Sequence, residues 1–163
     1  MKIYTKTGDN LETSTISKKV LKSDLIMHAV GTVDELASSL MVSYHYIEDE
    51  KIKEIILGIV KELVNVSADI IGYGDELAIK EENVTYFENL IDEYTSKMPP
   101  LKDFIIPGFN KASSHLHLAR TVARRLERWV VAYATNNSIN KFILMYINRL
   151  SDLLFTLARY LDQ

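Results

Sequence analysis

Residues Leu118–Trp129 read LARTVARRLERW, and their periodicity decides how the chain is built. At about 100° per residue they separate into two faces. Leu116, Ala119, Val122, Ala123, Leu126, Trp129, Val130 and Tyr133 share one broad side, a face made for burial. His117, Arg120, Arg124 and Glu127 fall within about 80° of one another on the opposite side. Arg125 lies away from that strip and Arg128 sits at its edge. Two arginines one turn apart with a glutamate beyond them form a planar donor array suited to polyanions. The competing reading is a solvated face laced with i,i+3 and i,i+4 ion pairs. Arginine usage favours the first. All six arginines stand at or after position 120, and every earlier strong base is lysine. Guanidinium is the fork that bidentate contacts to phosphate or carboxylate require.

The same periodicity extends outward in both directions. Ser23 or Asp24 caps a first helix to about Tyr46, with Leu25, Ala29, Val33, Leu36, Ala37, Leu40 and Tyr44 inward. A second runs from about Asp49 to Ile71 and ends at Gly72 and Gly74. A third covers about Glu81 to Ser96 and stops before Pro99-Pro100. The arginine helix spans about Ala112 to Thr135, and the last about Ile139 to Leu161. Residues 1–22 are polar and carry the turn run Gly8-Asp9-Asn10, with a short extended segment expected at KIYTKT. The expected fold class is all-α: an antiparallel five-helix bundle, one domain over residues 1–163, with a short, largely irregular N-terminal segment.

Composition narrows the function. The chain has 163 residues, 47% of them hydrophobic, and a net charge of -3. That is enough for one sizeable core and argues against general nucleic-acid binding. No cysteine is present, which excludes disulfides, thiolate metal sites and cysteine nucleophiles. No apolar run reaches the roughly 18 residues of a membrane span, and the start is not a signal peptide; the expected location is the cytoplasm. No Glu-x-x-His occurs, so the carboxylate-bridged di-iron reading of a bundle falls away. His115 and His117 point about 200° apart on a helix and cannot chelate together.

Four further features stand out. Thr5-Lys6-Thr7-Gly8-Asp9-Asn10 can cradle phosphate with backbone donors and a lysine, or form an ordinary surface turn. Asp34 sits at the border of the first helix's apolar face, where it either pairs with an arginine of the fourth helix, from this subunit or another, or stays an exposed carboxylate screened by its neighbours. Asn148, Arg149 and Asp152 can orient a ligand or pair locally. The connection MPPLKDFIIPGFN, residues 98–110, is long and apolar at its centre. Phe104, Ile105 and Ile106 are expected to plug one end of the core; the alternative is a ligand wall.

Together these pieces resemble the PduO-type ATP:cob(I)alamin adenosyltransferases. The matching segments are YTKTGD with Thr13-Ser14, GTVDEL at residues 31–36, DFIIPG at 103–108, LHLARTVARRLER at 116–128 and INRLSDLLFTLAR at 147–159. The resemblance implies a homotrimer with active sites between subunits, ATP bound with Mg²⁺, and a corrinoid beside it. Reduced cobalt would attack the 5′ carbon of ATP, giving adenosylcobalamin and tripolyphosphate. By position, Thr5, Lys6, Thr7, Gly8, Thr13, Ser14 and Lys22 would contact the nucleotide. Arg124, Arg125, Glu127, Arg128 and Asn148 would complete that pocket. Arg120 would pair with Asp34 across the subunit boundary, and these two with Arg124 form the catalytic set. Phe104 would pack on the lower face of the corrin and displace the axial base, and a corrinoid reductase would be a partner. The chain departs from the pattern at Leu11, where glycine is usual, around Ser17-Lys18, one residue shorter, and at Phe109, where a second glycine is usual. Two other classes compete: a trimeric nucleotide or corrinoid binder with little or no transfer, and a purely structural bundle.

Overall fold

A computed structural model describes all residues except 1, 5, 7, 16–18, 75 and 77. Five helices carry the fold: α1 Leu25–Tyr44, α2 Glu50–Ile71, α3 Glu81–Ser96, α4 Lys111–Ala134 and α5 Lys141–Leu161. Four start on a side chain that accepts a backbone N–H left free by the first turn. Asp24 takes Ile26, Asp49 takes Ile52, Asn110 takes Ser113 and Asn140 takes Phe142. Gly72 closes α2 with φ +69°, the left-handed cap that favours glycine.

Spatial order is α2–α1–α4–α5–α3. Consecutive helices alternate in direction, as short connections demand. Ser43 near the end of α1 donates to the Ala112 carbonyl at the start of α4, while His28 at the start of α1 stacks on Trp129 near the end of α4, rings 4.4 Å apart. The neighbours α3 and α5 run parallel instead: Phe87 meets Tyr146 at 4.6 Å and Tyr94 meets Tyr160 at 4.9 Å. That pairing needs the chain to cross the bundle after α2, and a buried carboxylate fixes the crossing. Asp69 accepts from the backbone of Ala78 and Ile79 at 2.8 and 2.9 Å and from Asn140 Nδ2 at 2.7 Å. Three donors replace the water it gave up.

The core runs unbroken through the stack, with Leu36, Leu40, Phe87, Leu116, Leu126 and Tyr146 wholly buried. α1 is long and apolar enough by composition to cross a membrane; it lies between α2 and α4 and buries Ile26, Ala29, Val33, Leu36 and Leu40 there. One extended expectation moves. KIYTKT contains no strand among its described residues; the strands are β1 Glu12–Ser14 and β2 Lys19–Leu21, antiparallel with Thr13 opposite Val20. Val20 is the one described hairpin side chain that reaches the core, and this inward valine, rather than alternation at the terminus, sets the register.

Candidate active site

The β1–β2 hairpin shapes a polar hollow of about 510 Å³ lined by Gly8, Asn10, Glu12, Thr13, Ser14, Lys19 and Lys22. Four of these, Gly8, Thr13, Ser14 and Lys22, are sequence-assigned nucleotide contacts. A Cβ added to Gly8 would stand 3.1 Å from Lys22 Nζ, so the bare glycine lets the ammonium close over the loop. Lys22 N–H donates to the Leu11 carbonyl at 2.9 Å, which ties the turn to the start of α1. Among the described residues neither lysine has an ion-pair partner. Leu11 itself adopts φ +67° and Lys6 φ +62°. The loop therefore keeps the left-handed bend for which glycine is usual, at a cost of about 1–2 kcal/mol per side chain. Asn10 belongs to the turn run read from the sequence; Lys19 was not singled out there, because its tie to the hollow depends on hairpin register. Thr5, Thr7, Ser17 and Lys18 lie outside the described residues.

The α4 strip divides in three. Arg124 is exposed, and among the described residues its guanidinium makes no ion pair; its carbonyl accepts from Arg128 Nη1 at 3.0 Å. Glu127 accepts from Asn148 Nδ2 at 3.1 Å, and Asn148 Oδ1 accepts from Arg149 Nη1 at 2.6 Å. Arg149 in turn meets Glu88 at 2.9 Å and Asp152 at 3.7 Å. This chain of charge-assisted bonds fixes the rotamers of Glu127 and Asn148 beside Arg124. Arg125 points the other way and pairs with Glu35 of α1. Asp34 is exposed, off the border of the apolar face, and within the described residues neither it nor Arg120 has an ion-pair partner. A Cβ at Gly31, one turn before, would meet nothing within 4 Å.

Toward the start of α4 the strip is not solvent-facing. His117 is only 4% exposed, because Phe155 of α5 packs edge-on to it at 6.0 Å. Burial pulls its imidazole below the usual range, the Arg120 guanidinium pushes the same way, and the Asp162 carboxylate opposes. His117 and Arg120 line a second hollow, about 580 Å³, together with Phe155, Leu101, Phe104 and Ile105. The expected core plug is absent. Phe104 is fully exposed and Ile106 is 70% exposed, since the loop carrying them lies over this hollow and not in the bundle end. α5 holds that loop at both ends. Arg159 donates to the Pro99 carbonyl, and Asp162 Oδ1 accepts from Phe109 N at 2.8 Å and from Ser113 Oγ. Gly108 sits at φ +86°, and a Cβ there would lie within 2.8 Å of Ser114 backbone; only glycine makes this bend.

An exposed aromatic loop over a ligand-sized hollow and a guanidinium one turn away can hold a flat apolar ring beside an anion. Among the described residues no group of three or more His, Asp or Glu side chains gathers to hold a metal.

Comparisons with known proteins agree on one family. A family model described as cobalamin adenosyltransferase matches residues 3–161. The chain is 37% identical to a corrinoid adenosyltransferase of Bacillus subtilis, over 99% of this chain and 87% of that protein. It is 39% identical to one from Citrobacter freundii, over 97% and 93%. A variant of the PduO-type ATP:corrinoid adenosyltransferase from Lactobacillus reuteri, complexed with cobalamin and ATP, superposes with a TM-score of 0.93. That pair shares 35% identity over 99% of this chain and 91% of the other.

Proposed function

The chain belongs to the cobalamin adenosyltransferase family, and on that premise we propose how its own side chains divide the work. Its activity is the ATP-dependent adenosylation of cobalamin. The lone pair of reduced cobalt displaces the oxygen at the 5′ carbon of ATP. A Co–C bond forms, the C–O bond breaks, and tripolyphosphate leaves with the electron pair.

Binding the leaving group falls to Lys22, Gly8, Thr13 and Ser14 of the hairpin, to Lys6, and to Arg124 and Arg128 of α4. Charge on the departing phosphates grows as the bond breaks, so cations already in place stabilise the transition state more than bound ATP. Glu127 and Asn148, fixed by Arg149, orient the nucleoside. Mg²⁺ would enter with ATP and offset the charge on its phosphates. Phe104 supplies the shelf on which the corrin lies and keeps the axial base and water off its lower face. Arg125, paired with Glu35, contributes by stiffening the α1–α4 seam rather than by touching phosphate.

A homotrimer accounts for the geometry left over in one chain. The hairpin hollow and the loop hollow share no lining residue, and Asp34 is exposed with no ion-pair partner among the described residues. In a trimer Asp34 meets Arg120 of the adjacent subunit, and one subunit's hairpin closes on its neighbour's α4. The use of ATP fits a cytoplasmic protein served by a corrinoid reductase.

The single observation carrying this assignment of roles is the continuity of α4: Arg120 under the apolar loop and Arg128 near the polar side lie eight residues, about 12 Å, apart. An anaerobic assay with ATP, Mg²⁺ and chemically reduced cobalamin tests it through Phe104→Ala. The account expects the substitution to raise the corrinoid KM and slow transfer at least tenfold, with the ATP KM unchanged. Equal damage to both substrates would remove Phe104 from the corrin shelf.

A further inference from the structure

His117 is left without a task by the roles above. It is buried, yet among the described residues neither ring nitrogen has a hydrogen-bond partner. A buried imidazole normally donates from one nitrogen and accepts at the other, because an unpaired polar atom out of water keeps the whole cost of its lost hydration. Three residues on, Arg120 Nε is also buried and unpartnered. Among the described residues these are the only three such side-chain atoms. All belong to side chains lining the hollow beneath the Phe104 loop. Their gathering at one ligand-sized hollow marks a surface that something entering it completes.

Charge selects the chemistry of that something. Burial and Arg120 hold the imidazole below its usual range against the pull of Asp162, so near neutral pH the ring is uncharged, with one donor and one acceptor. A carboxamide matches both. A fully ionised phosphate would suit Arg120 and the neighbouring Lys102, but it meets Asp103 in the same lining and has no proton for the accepting nitrogen. An apolar shelf alone also leaves a flat ring free to turn in its own plane; directed hydrogen bonds remove that freedom.

Resting on the adenosyltransferase reading, we infer that His117 and Arg120 Nε bind carboxamide side chains on the rim of the corrin and so fix the ring's rotation over Phe104. Both nitrogens are screened in the free chain, so the incoming ring reaches them as the imidazole turns or the exposed loop side chains shift. His117 is then a binding and positioning residue for the corrinoid alone.

The test compares the unaltered protein with His117→Phe and His117→Gln in the transfer assay. Phenylalanine keeps the shape and removes the orphan atoms, so the thermal midpoint holds. The ATP KM stays put and the corrinoid KM rises about tenfold, the loss of one or two neutral hydrogen bonds. Glutamine, itself a carboxamide, recovers most of the loss. An unchanged corrinoid KM in His117→Phe, or both KM values moving together, overturns the inference. Should that variant not fold, the unaltered protein with ¹⁵N-labelled histidine still decides. Dicyanocobinamide, which keeps the ring carboxamides and lacks the nucleotide tail, shifts the buried ring nitrogens if the inference holds. No shift, or a shift with cobalamin only, overturns it. A lack of turnover by the unaltered protein defeats the adenosyltransferase reading itself, and is seen before any variant is made.

Discussion

Leu11 shows how a residue can lack the expected identity and keep the expected shape. The family resemblance calls for glycine there, yet the leucine backbone already stands at φ +67° and the residue is 76% exposed. Glycine would relieve about 1–2 kcal/mol of left-handed strain and give back about 0.4–1 kcal/mol through a looser unfolded chain. The difference, about 0 to 1.6 kcal/mol, acts on folding and leaves the ATP contacts as they are. Leu11→Gly is therefore expected to leave the ATP KM within about threefold and transfer intact, checked by steady-state kinetics. A fall of more than tenfold would mean that leucine holds the loop out of shape. At this scale the sequence is read one side chain at a time, and His117 marks the limit of that. A wheel drawn for one helix puts it on the polar strip; only the neighbouring helix, through Phe155, turns that position inward.

Among elements, the last turn of α5 governs the apolar loop more than the loop governs itself. Residues 98–110 contain no helix or strand, and their two ends are held by Arg159 and Asp162. Asp162→Ala leaves Phe109 N without its acceptor and Ser113 Oγ with only the Asn110 carbonyl. The expected result is about 1–3 kcal/mol of lost stability, faster amide exchange across residues 99–109, and a raised corrinoid KM with ATP unaffected. Unchanged exchange and an unchanged corrinoid KM would show the loop is set by its own sequence. Helix ends were legible because Asp24, Asp49 and Gly72 cap locally, where residue type and position coincide. The hairpin was not: its polar strands are three residues each, and a lone inward Val20 is too little periodicity to read. Asp69, which ties α2 to α5 through Asn140, leaves no signal in its own neighbourhood because its partners are up to 71 positions away.

For the molecule as a whole, five helices could be counted from periodicity and caps, but not their neighbours. The parallel α3–α5 contact follows from Phe87 on Tyr146 and from the crossing that Asp69 secures, both long-range. Position in that stack makes α4 central: it packs on α1 and α5 at once, and its exposed side carries Arg124 and Arg128 together with Leu118, Thr121 and Val131. The claim on which the account rests is that the α4 strip gathers a triphosphate next to the loop that carries Phe104. A crystal structure of the protein with ATP, Mg²⁺ and cobalamin measures it directly. The account predicts a three-fold assembly with phosphate oxygens on Arg124 and on the neighbouring subunit's Lys22, and the corrin face on Phe104. A triphosphate bound away from Arg124, or a corrin away from the loop, would contradict it.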